Sequence, residues 1–411
     1  MPNRRIGVRR RRKTLQGWHV IAITMGIAVT IFRFQSEISP RKMEYGYSRG
    51  IYPYIADALS WVGRWVPAPY SASEIFIGLI FLAMLIWFAF NFFRSLWRRQ
   101  SIPILLLISA FHGIAILSGG YFFYLTNWGL NYLREPVYVS LAHESPSELS
   151  PSDYEQVAGD MITLISALPK FEYPNLREMD QLIDAALRKN MEMASEFPIP
   201  SPPPTKFLIF NEWMNACGIS GIFLPIFMEP HINSDLLLWE RPFVMAHEKA
   251  HFMGFASETD ANFIAGMTCL NAESPVLRYS GAMYFLLSLR RYLPQEKWDE
   301  LMTAALSPAA QQDIRARKER IQHHLKQYTL TRRFSQKVND TYLKLNSQEL
   351  GIRTYQAAVP HLVAWWKARK SDVKLTTRSP NRSEYRRRGC KARPAQSIWW
   401  PDGKPENPMP N

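Results

Sequence analysis

His247, Glu248 and His251 stand in the order H-E-x-x-H, and Glu258 follows seven residues after the second histidine. Histidines four residues apart project from one face of a helix, so both imidazoles can hold a single Zn2+. The glutamate after the first histidine lies about 100° round the helix, beside that face. There it can take a proton from a metal-activated water without becoming a ligand. With nine histidines in 411 residues, this pattern is expected by chance about 0.01 times. Two histidines and one glutamate also leave a coordination position for water, whereas structural zinc is usually closed by four Cys or His ligands. The expected set is therefore His247, His251 and Glu258 on the metal, with Glu248 as general base. The bland alternatives are a solvated helix with incidental histidines and, for Glu258, an acid favoured by a helix dipole.

The flanking residues must supply the helices that position this set. Pro242 suits a first helical turn, where its missing N–H is not needed. Phe243, Val244, Ala246 and Ala250 supply a buried face, and Gly254 is placed where a helix would end. Ser257 and Asp260 resemble the N-cap pair of a second helix, with Glu258 in its first turn. Asp260 and Asn262 are candidates to orient the ligands by hydrogen bonds. Lys249 occupies an interior position and is expected to snorkel to the surface.

Three apolar stretches, 15–32, 75–93 and 102–125, approach or exceed the roughly 20 residues that cross a bilayer. The first is the weakest, and a cleaved signal peptide is its rival, but Phe32, Arg33 and Phe34 occupy the cleavage zone. Seven basic residues and no acid lie in 1–13, and Arg94, Arg98 and Arg99 sit between the second and third stretches. Both segments are therefore expected in the cytoplasm, and everything after Leu125 outside it, in the periplasm or beyond.

The net charge of +14 is concentrated at the ends: 367–411 carries twelve basic residues against four acids, and the middle is close to neutral. Membrane topology and lipid account for a basic arm beside a span, so no nucleic-acid partner is expected. The tail reads as disordered. Cys217, Cys269 and Cys390 have no spacing of a disulfide framework or a cysteine metal site.

The expected fold is α+β and mostly helical. A basic arm (1–13) precedes a three-span anchor (14–126), a zinc-bearing exported domain (127–367) and the tail (368–411). Segments 151–168 and 175–197 read as amphipathic helices, the first opened by Ser152 and Glu155 as a capping box. Proline-rich 198–204 reads as a stiff connector. Segments 206–211 and 218–227 read as an antiparallel strand pair before the metal helix. Beyond Glu258 the chain reads as helical to about Trp366, broken at Ser274–Pro275, Pro294, Ser307–Pro308 and 346–351.

These pieces also resemble a known family. Gly50-Ile-Tyr-Pro-Tyr-Ile, Asn127-Trp-Gly-Leu-Asn-Tyr, Gly218-Ile-Ser-Gly and the block His247-Glu-Lys-Ala-His-Phe-Met-Gly-Phe-Ala-Ser-Glu-Thr-Asp-Ala-Asn-Phe carry the likeness. Arg278-Tyr-Ser-Gly and Asp340-Thr-Tyr-Leu-Lys through Gly351 and Tyr355 add to it. Over about 45–367 the chain is similar to the bacterial membrane family of domain of unknown function 3810, within the zincin-like peptidase group. The resemblance implies a three-span anchor in the bacterial inner membrane and a zinc-peptidase-like domain. It also implies Glu258 as third ligand, from its likeness to the ligand helix of glutamate-zincins, although the spacing after His251 is unusually short. It implies no substrate.

Residues and resemblance together lead to the expectation of a membrane-anchored metallopeptidase with Zn2+ as cofactor, acting on a peptide or protein outside the cytoplasm and contacting membrane lipid. Tyr279, Tyr342 and Tyr355 are candidate oxyanion donors, or packing tyrosines. The alternative is a non-catalytic, peptidase-like envelope protein that binds a protein or peptidoglycan. An intact Glu248 favours the enzyme, because a binding relic needs no general base.

Overall fold

The computed structural model describes residues 17–35, 39–97, 102–140, 146, 149–193, 201–346 and 348–377. The chain divides into two units, 1–367 and 368–411. In the second, the described residues continue the helix that ends at Thr377. The basic arm, Arg98, Arg99, Cys390 and most of the basic tail lie outside the described residues.

Among the described residues, two helices are long and apolar enough to cross a membrane: α4 (Ala72–Trp97) and, within α5 (Ile102–Asn127), the stretch Leu106–Asn127. Their apolar side chains point outward: Phe81, Leu85, Phe90 and Leu117 are all exposed. The expectation of three spans is corrected to two. Among the described residues the apolar run of α1 (Gly17–Gln35) is Gly17–Arg33, about 26 Å of helix against the roughly 30 Å of hydrocarbon a bilayer presents. Trp18 at its start packs edge-on to His112, well inside α5. α1 lies along α5 where small residues permit close approach, with Gly26 against Ser118 and Gly119 against Ala22.

Residues 39–71, assigned by sequence to the anchor, join the main core instead. α2 (Pro40–Met43) runs through a π-helical turn (Glu44–Ile51) into α3 (Tyr52–Trp65). Met43, Tyr47, Tyr52 and Ala56 are buried in the same cluster as Trp128, Phe252 and Phe255. This core is built after α5 from α6 (Val137–Ser140), α7 (Pro151–Ala167), α8 (Leu176–Met193), α9 (Asn211–Cys217), β1 (Gly221–Leu224), β2 (Glu229–Ile232), α10 (Arg241–Phe252), α11 (Glu258–Asn271) and α12 (Pro275–Leu289). α13 (Gln295–Glu300), α14 (Pro308–Gln327), α15 (Thr329–Leu345) and α16 (Thr354–Thr377) follow. The breaks expected at 274–275, 294, 307–308 and 346–351 all fall between helices, and Tyr328 adds one more.

Two local expectations change. The capping box of α7 is Ser150 with Asp153, because Pro151 takes the first helical position and moves the start two residues earlier. The sheet pairs β1 with β2 antiparallel, from Gly221↔Ile232 to Leu224↔Glu229. Of 206–211, Lys206 alone joins, by one parallel bridge to His231. Pro230 hides β2 from a propensity reading, yet it sits on the Lys206 side, where its carbonyl still accepts Lys206 N at 3.0 Å.

Glu229 ties this sheet to the start of α4. Its buried carboxylate accepts from Ala72 N (3.1 Å), Ser73 N (2.7 Å) and Lys206 Nζ (2.5 Å). A carboxylate there satisfies the free amides and dipole of a helix N-terminus while neutralising a fully buried lysine.

Candidate metal centre

α10 is buried at every position from Pro242 to Phe252. Pro242 occupies its first turn, and Gly254 turns the chain back with φ +82°. A side chain at 254 would be strained by that φ and would press on the Tyr52 ring and Asn131. Three outside side chains reach the last carbonyls of α10. Tyr52 Oη donates to Phe252 O at 2.6 Å, Trp128 Nε1 to His251 O at 3.1 Å and Arg134 Nη1 to Met253 O at 3.5 Å. Arg134 is held in turn by a bidentate pair with buried Glu44 (2.7 and 2.8 Å) and stacks on Phe255.

The turn brings Glu258, the first residue of α11, back to the two histidines. His247 Nε2 and His251 Nε2 are 3.1 Å apart, and Glu258 Oε2 lies 3.2 Å from the first and 3.6 Å from the second. Ligands about 2.0–2.1 Å from a tetrahedral ion are about 3.3 Å from one another, so the three separations bracket that value. His251 Nδ1 lies 2.8 Å from Phe255 O. With its proton there, the ring presents the Nε2 lone pair to the centre. Glu258 Oε2 is buried and receives no hydrogen bond among the described residues. Two imidazole nitrogens and a carboxylate oxygen facing one another need a cation or a proton between them, and the set fits Zn2+.

The electrostatics agree with a cation-seeking site. Burial raises the pKa of Glu258, but His251 and His247 overcome this and hold it well below the carboxylate range. Burial lowers that of His251, but the Glu258 carboxylate overrides it and holds the imidazole up at about 9. Glu248 is pushed up to about 7 by burial, against the pull of His247 and His251. A carboxylate with that proton affinity suits general acid–base work near neutral pH.

Glu248 faces β1 so closely that a Cβ at Gly221 would collide with its Oε1. Asn233 N donates to Ser220 O, so the ladder's hydrogen-bonded pairs are Ile222 with His231 and Leu224 with Glu229. The alternation leaves the N–H and C=O of Gly221 and Phe223 directed away from β2. Phe223 and Trp128 wall the site beside His251. A cleft of about 700 Å³ opens over His247, Glu248, His251 and Glu258, bordered by Gly221, Phe223, Tyr342 and Tyr355.

His247, Glu248, His251 and Glu258 thus converge, while other expected residues go elsewhere. Tyr279 donates to Asp313 at 2.6 Å and does not border the cleft. Tyr342 borders it but bonds to Tyr124 (2.6 Å) and Tyr132 (3.3 Å). Tyr355 also borders the cleft, and its hydroxyl accepts from Asn339 Nδ2 at 3.5 Å. Asp260 accepts from Val137 N and Asn262 donates to Tyr355 O, so neither bonds to a ligand. Ser257 Oγ bonds to Gln348 rather than capping α11. Lys249 does not snorkel: it is fully buried, 2.8 Å from Asp180 and 2.5 Å from Asp184. Tyr52, Trp128 and Gly221 gained no role from the sequence, although each lies in a segment that carries the family likeness. Cys217 and Cys269 are buried and free.

No curated protein and no solved structure matches this chain. The sequence model of the family described as "Protein of unknown function (DUF3810)" matches residues 47–363, more than three quarters of the chain and both helices of the candidate metal centre, and the chain belongs to this family.

Proposed function

We propose that this protein is a membrane-anchored, zinc-dependent metallopeptidase of the zincin type, working outside the cytoplasm. The observation that carries the reading is the triangle of His247 Nε2, His251 Nε2 and Glu258 Oε2, spaced 3.1, 3.2 and 3.6 Å, with a buried Glu248 beside it. Bound Zn2+ supplies a Lewis acid that polarises a carbonyl and lowers the pKa of water. Glu248 takes the proton from the attacking water and passes it to the leaving amine, a role that needs one group able to exist in both forms near neutrality. The outward N–H and C=O groups of Gly221 and Phe223 align an extended peptide beside β1, the manner in which exposed strands bind chain segments. Tyr355, which borders the same cleft as Glu258, would donate to the developing oxyanion.

The anchor is α4 with α5, inserted in a bacterial inner membrane. Arg94, in the last turn of α4, and the basic sequence between α4 and α5 are assigned to the cytoplasmic side, so both outer ends of the two helices and the core lie on the other side.

Replacing Glu248 with Gln keeps size and hydrogen bonding but removes the basic carboxylate. Zinc content of the purified full chain should stay at one per chain, while cleavage of a quenched peptide library falls about 10²-fold or more. If Glu248→Gln cuts as fast as the parent, this mechanism is wrong.

A further inference from the structure

α15 carries an apolar stripe that the protein does not cover. Leu330, Phe334, Val338 and Leu345 are 80%, 72%, 52% and 61% exposed. At about 100° per residue they fall within about 80° of the helix circumference. Arg333, Lys337 and Lys344, all exposed, run along one edge of this stripe, and Ser335, Asn339 and Tyr342 run along the other, towards the cleft. A second exposed apolar group, Ile209, Phe210 and Trp213, lies at the start of α9.

Both groups are fastened to the same end of the long apolar helices. Tyr342 Oη bonds to Tyr124 Oη at 2.6 Å in the last turn of α5, and Arg33 near the end of α1 donates to Leu345 O at 3.3 Å. The amides of Ile209 and Phe210 donate to Glu74, in the first turn of α4, at 2.7 and 3.0 Å. The end of α5 and the start of α4 are where this hairpin leaves the bilayer. An apolar helix face with a basic edge, held at that level, has the pattern of a helix lying in the plane of a membrane interface. Tryptophan at the same level is the side chain expected there.

The cleft shares this border. Tyr124 and Trp128 line it from the α5 side, Val338 and Tyr342 from α15, and Trp213 from α9. A chain reaching Glu248 therefore passes between the outer end of the hairpin and α15. We propose that α15, with Ile209, Phe210 and Trp213, lies in the lipid interface, and that the cleft takes extended segments of polypeptides themselves held at that membrane surface. The lipid contact stands on the membrane reading, and the substrate class rests on the peptidase reading above.

Two readouts on the full chain in phosphatidylcholine–phosphatidylglycerol vesicles separate these parts. In a chain with Cys390→Ser, a bimane dye is placed through Leu330→Cys, Phe334→Cys, Gln336→Cys or Asp340→Cys. Brominated acyl chains should quench the dye at 330 and 334 at least twofold and leave those at 336 and 340 nearly unchanged. Absence of bromine quenching at 334, whether because water or another protein covers the stripe, overturns the lipid contact. For the substrate class, a randomised quenched peptide library is offered free in solution or N-palmitoylated on the vesicles. Leu330→Glu with Phe334→Glu should slow cleavage of the palmitoylated library at least tenfold and leave the free library unchanged, at constant zinc content. Equal losses on both libraries overturn the substrate class. If the zinc-loaded parent cuts neither, the peptidase reading falls and the substrate class with it, while quenching at 334 still decides the lipid contact.

Discussion

The two faces of α10 both bury charge, and they handle it in opposite ways. On the back face, Lys249 Nζ is enclosed by Asp180 and Asp184 of α8. Asp180 also accepts from Thr205 N and Oγ1, at 3.1 and 2.6 Å, so that network is closed within the protein. On the front face, His247 Nε2, His251 Nε2 and Glu258 Oε2 meet at one point, and among the described residues no further group satisfies Glu258 Oε2. Buried charge is tolerated only when it is paired. Where the chain provides every partner, the buried group is architecture. Where two imidazoles and a carboxylate converge on one point, the group could hold a cation from outside.

The largest effect expected from this contrast comes from breaking the closed face. Lys249→Ala leaves the buried carboxylate of Asp180 facing the partly exposed one of Asp184, which burial already pushes up to about 6. Removing one partner of such a pair should cost about 3–5 kcal/mol of stability, read from chemical unfolding of the full chain. Lys249→Met should cost nearly as much, since the stem is restored but the charge is not. In metal-free protein, His247→Ala should cost far less, because His251 and Glu258 remain to pair with each other. A near-neutral Lys249→Met would end the distinction between the two faces.

The open face should answer to the metal instead. At zinc one hundred times its Kd, binding to the folded state alone adds about 2.7 kcal/mol, and a chelator should remove it. Glu258→Gln should shrink that increment, because a neutral amide is a poorer zinc ligand than a carboxylate. Lys249→Ala, though destabilised, should keep it in full. Chelation without effect on the unfolding of the parent would mean that the acceptors converge for another reason.

The front face was legible in the sequence because helical geometry fixes what a four-residue spacing does, and Pro242 and Gly254 mark the ends of the helix that carries it. The back face was not. Lys249 looks like a surface residue until α8, more than fifty residues earlier, brings Asp180 and Asp184 against it. β2 was missed because Pro230 contradicts strand propensity, and only the bridge from Lys206 shows why it is tolerated. The first apolar stretch read as a span because composition does not reveal that Trp18 meets α5 near its middle. Tyr52 and Trp128 sit in motifs whose likeness to the family was visible but whose contacts, 200 and 123 residues away in sequence, were not.

Those two contacts give the finest test of how the open face is positioned. Trp128→Phe keeps most of the aromatic packing against Phe223 and His251 but deletes the indole N–H that donates to His251 O. That carbonyl still accepts from Gly254 N at 3.0 Å, so it is not left unsatisfied. The cost should therefore sit in the ordinary range for one neutral hydrogen bond, about 0.5–1.5 kcal/mol, in unfolding of the metal-free chain. The imidazole of His251 is oriented separately, by Phe255 O through Nδ1. Zinc affinity should accordingly fall by less than about tenfold, the low end of what loss of an outer hydrogen-bond partner does to a metal site. A fall of a hundredfold with little change in stability would mean that the end of α5 sets the geometry of His247, His251 and Glu258, and that the apolar helices and the candidate metal centre are one device rather than neighbours.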